Sequence, residues 1–148
     1  MHNINEKVLN AWLKLSTTIC NDRIVSELPF NESLVCGILH KNAKESPEKQ
    51  MTATELCEKT NIQKSLMNRT LNSMEEKGLI FRKRSDKDKR QVFVSINMDN
   101  TAAYESQHKK ILSMVDSVLE KVGKEKAEEI VQLFTLISNK AKEVMDHD

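Results

Sequence analysis

Apolar residues at the start of the chain recur at intervals of three and four. Ile4, Val8, Trp12, Leu15 and Ile19 form one stripe, which predicts an amphipathic helix over residues 4–20. Pro29 interrupts the next stretch, and Asn31 is suited to cap a second helix over residues 32–40. Residues 42–50 (NAKESPEKQ) are polar, contain Pro47 and read as a loop.

Thr52-Ala-Thr-Glu55 has the spacing of a capping box and opens a short helix over residues 53–60. Asn61 suits its end, because Asn tolerates the left-handed conformation of a helix C-cap. A longer helix follows over residues 63–77, with Met67, Leu71 and Met74 on one stripe. Gln63, Lys64, Ser65, Asn68, Arg69 and Asn72 fall largely off that stripe, and Gly78 is the expected stop. Short helix, tight turn and longer helix with a polar outer face make a helix-turn-helix. Beyond Gly78 the period changes. Leu79-Ile80-Phe81 is β-prone and Arg82-Lys83-Arg84 extends it. Residues 85–90 are polar and charged, and Val92, Val94 and Ile96 then alternate with Gln91, Phe93 and Ser95. Two strands around a charged loop predict a β-hairpin, which after a helix-turn-helix is a wing.

Asp99 or Asn100 can cap the next helix, over residues 101–121, whose later apolar face carries Ile111, Met114, Val115, Val118, Leu119 and Val122; Gly123 breaks it. In the last helix Ala127, Ile130, Phe134, Ile137, Ala141 and Val144 are spaced as a heptad seam. That seam either packs within the chain or forms a subunit interface. Because both chain ends carry apolar helices, the second reading is favoured, with Val8 and Trp12 joining Ile130, Phe134, Ile137, Ala141 and Val144 in dimerisation. The expected fold is mainly α with a small two-stranded β-hairpin, a winged helix-turn-helix that dimerises through its N- and C-terminal helices. The expected parts are residues 1–30 (dimerisation helix and connection), 31–98 (the winged lobe) and 99–148 (dimerisation helices).

Composition narrows the class. A chain of 148 residues with 39% hydrophobic and 30% charged residues suits one compact domain with a highly charged surface. Three glycines and two prolines are too few for a turn-rich sandwich or a glycine-rich phosphate loop. No apolar run approaches the ~20 residues that span a membrane, and the first residues lack the pattern of a signal peptide. Cys20, Cys36 and Cys57 are odd in number without paired spacing, which points to a reducing cytoplasm. The net charge of +1 conceals a division: residues 62–97 carry +5 and the remainder −4. The basic segment is a candidate polyanion footprint or a solvated charged face.

These residues can bind double-stranded DNA with two elements. A helix fits the major groove, where Gln63, Ser65, Asn68 and Arg69 could meet base edges while Lys64 meets phosphate. The wing offers Arg82, Lys83, Arg84, Lys87, Lys89 and Arg90 to a flanking minor groove, whose negative channel attracts Arg. Asp86 and Asp88 stand out beside phosphates; a carboxylate at Asp88 makes sense if it orients the Arg90 guanidinium.

The segment KTNIQKSLMNRTLNSMEEKGLIFRKRSDKDKRQVFVSIN resembles the core of the MarR family of regulators. Its most specific part is Gly78, the basic strand, Asp88-x-Arg90 and the alternating strand after it, and the order of elements fits nearly the whole chain. The resemblance implies an obligate-type homodimer on a pseudo-palindromic operator, with Arg90 in the minor groove. It further implies a repressor released by a small phenolic or otherwise amphipathic ligand. The sequence departs from the family at Ile96-Asn97-Met98-Asp99-Asn100, where Leu-Thr and a nearby Gly are usual. It departs again at Gln63, where a small cap is usual and Asn61 could substitute, and at Cys57, where Ala is common and a small buried residue is expected.

The sensor has several candidates. Cys20, with Arg23 nearby, is the one cysteine placed for redox sensing, as in some relatives. Cys36, His40 and His108 could approach each other as metal ligands, yet four well-placed ligands are not evident, so no metal site is expected. Trp12, Phe30 and Tyr104 could line an organic ligand pocket. No cofactor is implied. Catalytic motifs are absent, so an enzyme is not expected. A winged-helix protein-interaction module without DNA binding is the alternative from another class; it would have no need of the basic wing.

Overall fold

The computed structural model describes residues 2–19 and 28–146, and the chain divides into two compact units, Met1–Lys109 and Lys110–Asp148. In the first unit, helix α1 (His2–Ile19) is followed by α2 (Phe30–Glu45), strand β1 (Met51–Thr52), α3 (Ala53–Thr60), α4 (Lys64–Glu76), β2 (Ile80–Arg84), β3 (Val92–Ile96) and the start of α5 (Ala102–Val122). Helix α2 is longer than its predicted counterpart at both ends. Pro29, not Asn31, sits at its N-cap, with φ −55° already set by the ring. Residues 41–45 continue the helix, which stops where Pro47 forces Ser46 out of helical geometry (φ −142°).

A third strand joins the predicted hairpin. Met51 pairs with Val94 and Thr52 with Phe93, so the antiparallel sheet has the order β1-β3-β2. Two residues are too few to show a strand period. Thr52 also caps α3: its Oγ1 accepts from Glu55 N at 3.1 Å. The Glu55 carboxylate accepts from the Thr52 hydroxyl at 3.2 Å, instead of returning to the cap's backbone N–H as a full capping box would.

The core joins every element of the lobe after residue 28. Val35, Cys36 and Leu39 of α2, Leu56 of α3, Met67, Leu71 and Met74 of α4, and Ile80, Val94 and Ile96 of the sheet are buried together. Burial of so many large side chains, each worth roughly 1.5–3 kcal/mol, is what holds the short helices in place. Glycine at position 37 admits Tyr104 of α5, because a Cβ there would lie 3.3 Å from its hydroxyl. Gln107 holds the chain ahead of α2 through both amide atoms: Oε1 accepts from Leu28 N at 2.6 Å and Nε2 donates to Leu28 O at 3.3 Å. The expected caps Asp99 and Asn100 instead lie in a single 3₁₀ turn, Met98–Asn100, with Asn97 Oδ1 accepting from Asp99 N at 3.1 Å; α5 begins after Thr101.

The second unit contains the later part of α5, a 3₁₀ turn over Lys124–Lys126 and α6 (Ala127–Asp146). Gly123 breaks the helix at φ 118°, a conformation that side-chain-bearing residues rarely adopt. Among the described residues no helix is long and apolar enough to cross a membrane.

Candidate nucleic-acid interface

The candidate interface is built on α4, and both ends of this helix are set by left-handed residues. Asn61 at φ 62° closes α3, its N–H donating to Cys57 O at 2.9 Å, and turns the chain toward α4. Asn61 is therefore not the cap of α4; Gln63 occupies that position and makes no side-chain capping bond. At the far end Gly78, at φ 75°, completes a Schellman motif: Leu79 N donates to Met74 O at 2.9 Å and Gly78 N to Glu75 O at 3.0 Å. The departure at residues 97–100 serves this junction. Asn97 Nδ2 donates to Gly78 O at 2.9 Å and Asn100 Nδ2 to the same oxygen at 3.1 Å.

With Met67, Thr70, Leu71 and Met74 buried, the opposite side of α4 is open. Gln63, Lys64, Ser65, Asn68, Arg69 and Asn72 are all exposed. The helix is held from behind by a carboxylate that sequence reasoning missed. Glu32 of α2 is buried, and it accepts from Ser73 Oγ at 3.1 Å and from Lys77 Nζ at 2.8 and 3.0 Å. A Glu four residues into a mixed segment looks like any surface acid; only its partners 41 and 45 residues away distinguish it.

The wing turns at Ser85. Its buried hydroxyl accepts from the N–H groups of Lys87 and Asp88, each at 3.2 Å, and its own N–H donates to Gln91 O at 2.9 Å. This compact turn carries Lys87, Asp88, Lys89 and Arg90. Asp88 Oδ1 accepts from Arg90 N at 3.0 Å and Nε at 3.3 Å, while the Arg90 side chain remains 93% exposed. Arg84 Nη1 donates to Lys89 O at 2.5 Å, bracing the loop. Arg82 is placed differently from the other wing cations. It shares the α4-facing side of β2 with Ile80, and its Nη2 donates to Asn72 Oδ1 at 2.6 Å and Glu75 Oε1 at 2.9 Å. That hydrogen bond holds the Glu75 carboxyl below its ordinary range.

The candidate sensor residues do not converge. Cys36 is buried, and burial, followed by the nearby Glu32 charge, pushes its thiol up to about 11, which disfavours the thiolate a metal needs. His40 lies 3.3 Å from Glu105 and His108 stacks on Tyr104, so that the Tyr104 ring contacts both imidazoles at centroid distances of 5.5 and 5.4 Å. Among the described residues no group of three His, Cys, Asp or Glu side chains could hold a metal ion. Cys57, expected to be buried, is only half-buried and packs against the edge of the core. Cys20 and Arg23 lie outside the described residues. Of the proposed pocket aromatics, Tyr104 is core while Trp12 and Phe30 are exposed. A recess of about 340 Å³ lies elsewhere, between α2 and the sheet, and is lined in part by Phe81 and Phe93.

The dimerisation candidates are open in the single chain. Val8, Trp12, Phe134, Ile137 and Val144 are each half or more exposed, and Ile130 and Ala141 are half-buried.

Known proteins share this arrangement. Residues 28–91 match the family model described as MarR family. No curated protein matches the chain. The transcriptional regulator BldR of Sulfolobus solfataricus is 21% identical and superposes with a TM-score of 0.72 over 95% of this chain and 99% of its own. BpsR of Bordetella bronchiseptica, whose DNA binding is regulated by 6-hydroxynicotinic acid, is 16% identical with a TM-score of 0.72 over 90% and 91%. A mutant of MarR from E. coli is 19% identical with a TM-score of 0.62 over 90% and 93%. The match spans the helix-turn-helix and the tip of the wing, and the fold is shared beyond it: the chain has the winged helix-turn-helix fold, and its central lobe is similar to the MarR family.

Proposed function

We propose that the protein is a sequence-specific, double-stranded-DNA-binding transcriptional repressor of the cytoplasm that acts as a homodimer. The observation that carries this reading is the exposure of the polar and cationic side chains of α4 together with those of the wing tip. Gln63, Lys64, Ser65, Asn68 and Arg69 on α4 and Lys87, Lys89 and Arg90 at the wing tip are all exposed. Helix α4 would lie in the major groove with Asn68 and Arg69 on base edges, and the uncapped N–H groups at its start would face phosphate alongside Lys64. Arg90, aimed by Asp88, would enter the neighbouring minor groove. Arg84 would brace the wing beside the backbone.

The exposed apolar side chains of α1, and separately those of α6, support dimerisation, because large apolar side chains left open in such number along a helix mark an interface. Two lobes related by a two-fold axis call for inverted half-sites about 10 bp apart. Control by a small organic inducer is supported by the regulation of BpsR by 6-hydroxynicotinic acid; release of DNA by such a ligand would make the protein a switchable repressor.

The test is selection of duplexes from a randomised pool, followed by fluorescence anisotropy on enriched and shuffled DNA at two salt concentrations. A preference of about a thousandfold that weakens steeply with salt is expected. Absence of enrichment together with absence of binding at low salt would overturn the reading in favour of a protein-interaction module.

A further inference from the structure

Asn72 lies seven residues, about two turns, after Ser65, so it continues the outward row of Ser65, Asn68 and Arg69 along α4. It is exposed, yet its carboxamide has a defined orientation. Arg82 reaches from β2 and donates through Nη2 to Asn72 Oδ1 and to Glu75 Oε1, at 2.6 and 2.9 Å. A guanidinium carries donors only, so the amide must turn its oxygen toward Arg82 and its NH₂ away. The Arg82 side chain is 23% exposed, against 93% for Arg90. Its charge already faces a carboxylate.

We propose that Arg82 is a positioning residue that ties the wing to α4 and locks Asn72 as a donor-only contact to an acceptor edge of a base, guanine O6/N7 or thymine O4. The inference rests on the DNA-binding reading above. A free Asn pairs with adenine through N6 and N7, which requires both its oxygen and its NH₂. With its oxygen turned to Arg82, Asn72 cannot make that bidentate pair, and its NH₂ alone favours guanine, whose O6 and N7 both accept, over adenine, whose N7 stands beside the N6 donor. Arg82, hydrogen-bonded to two acceptors of its own chain, leaves the neutralisation of phosphate to Lys87, Lys89 and other exposed cations. The wing and the recognition helix thereby move as one body, with a donor fixed at their junction.

The experiment uses the duplex enriched by the wild-type protein, together with its full set of single-base variants, across several salt concentrations. Asn72→Ala and Arg82→Ala are each expected to lose about tenfold in affinity. Both should lose preference at the same guanine or thymine in each half-site, and the double variant should be no weaker than the weaker single one. The slope of log Kd against log salt should not change. A slope smaller by about one in Arg82→Ala, with all duplexes weakened alike, would make Arg82 a phosphate cation and overturn the proposal. Adenine at the position relaxed by Asn72→Ala would overturn it too, as would relaxation at different positions in the two variants. Asn72 is a surface residue, so its variant keeps the test independent of folding. Should Arg82→Ala lower the thermal midpoint, Arg82→Gln, which keeps an NH₂ without the charge, is expected to retain the wild-type slope and part of the preference. A wild-type protein that enriches no sequence overturns the DNA-binding reading itself, a result distinct from those above.

Discussion

Asp88 Oδ1 receives two hydrogen bonds from Arg90, one from the backbone N–H at 3.0 Å and one from Nε at 3.3 Å. The acid thus fixes both the turn and the guanidinium at the tip of the wing. Ordering a long side chain before it meets DNA removes an entropic cost of roughly 0.5–1.5 kcal/mol from binding. Asp88→Ala is expected to weaken DNA binding about threefold to tenfold even though it removes a negative charge. Tighter binding in an anisotropy titration would show that Asp88 acts only by repulsion.

Arg90 itself is expected to behave as a groove cation. Arg90→Ala should weaken binding to good and poor duplexes alike and reduce the salt slope by about one, whereas Arg69→Ala should cost about 1–3 kcal/mol on the preferred duplex and relax base preference. An unchanged preference in Arg69→Ala would remove that residue from the base-reading set.

Glu32 is a buried carboxylate with Ser73 of α4 and Lys77 at the C-cap of that helix as its partners. Glu32→Ala leaves the Ser73 hydroxyl and the Lys77 ammonium without their acceptor and should cost about 2 kcal/mol of stability. Lys77 reaches solvent and recovers part of its hydration, which keeps the loss below that of a fully buried pair. Glu32→Gln retains an acceptor and should lose less. Urea unfolding of the two variants decides this, and a Glu32→Ala protein as stable as wild type would mean that the apolar core alone seats α4.

Cys36 carries a pH signature. Its folded thiol is raised from 9.0 to about 11 by burial and then by Glu32. The folded state therefore holds the proton more tightly than the unfolded chain. The associated stability is fully present below pH 9.0 and is lost as the pH rises through about 11. The difference in urea stability between wild type and Cys36→Ala should narrow over that window by an amount on the order of 2 kcal/mol. The same protonation predicts slow alkylation of Cys36 in the native protein at pH 8, and a rate equal to that of the unfolded chain would contradict it.

The apolar faces of α1 and α6 predict the state of assembly. The wild-type protein should sediment as a dimer, and Phe134→Glu with Ile137→Glu should shift it toward monomer and reduce operator affinity at least tenfold, because each lobe would then bind one half-site alone. A monomeric wild type would remove the two-fold operator from the proposal.

Much of this architecture was legible in local pattern. The Met67, Leu71, Met74 stripe predicts α4 and its buried side. Asn61 and Gly78 mark its boundaries, because few other residues tolerate positive φ there. The alternation of Val92, Val94 and Ile96 predicts β3. Where local pattern misled, a neighbour intervened. Asn61 closes α3 as its tolerance of the left-handed conformation predicts, which leaves it unable to cap α4 as well, and Asp99 and Asn100 are drawn into a turn by Asn97. Strand β1 exists only because β3 lies beside it.

Periodicity, capping residues and the run of basic residues are properties of neighbours in sequence, and they carried the helix-turn-helix, the wing and the cationic face. The partners of polar groups are set by proximity and desolvation, which arise only when distant segments pack. Glu32 meets Lys77 across 45 residues, and Arg82 turns to Asn72 and Glu75 because β2 passes beside α4. A sequence in which all the wing cations look alike therefore folds into a wing where Arg90 faces solvent and Arg82 is bonded to α4.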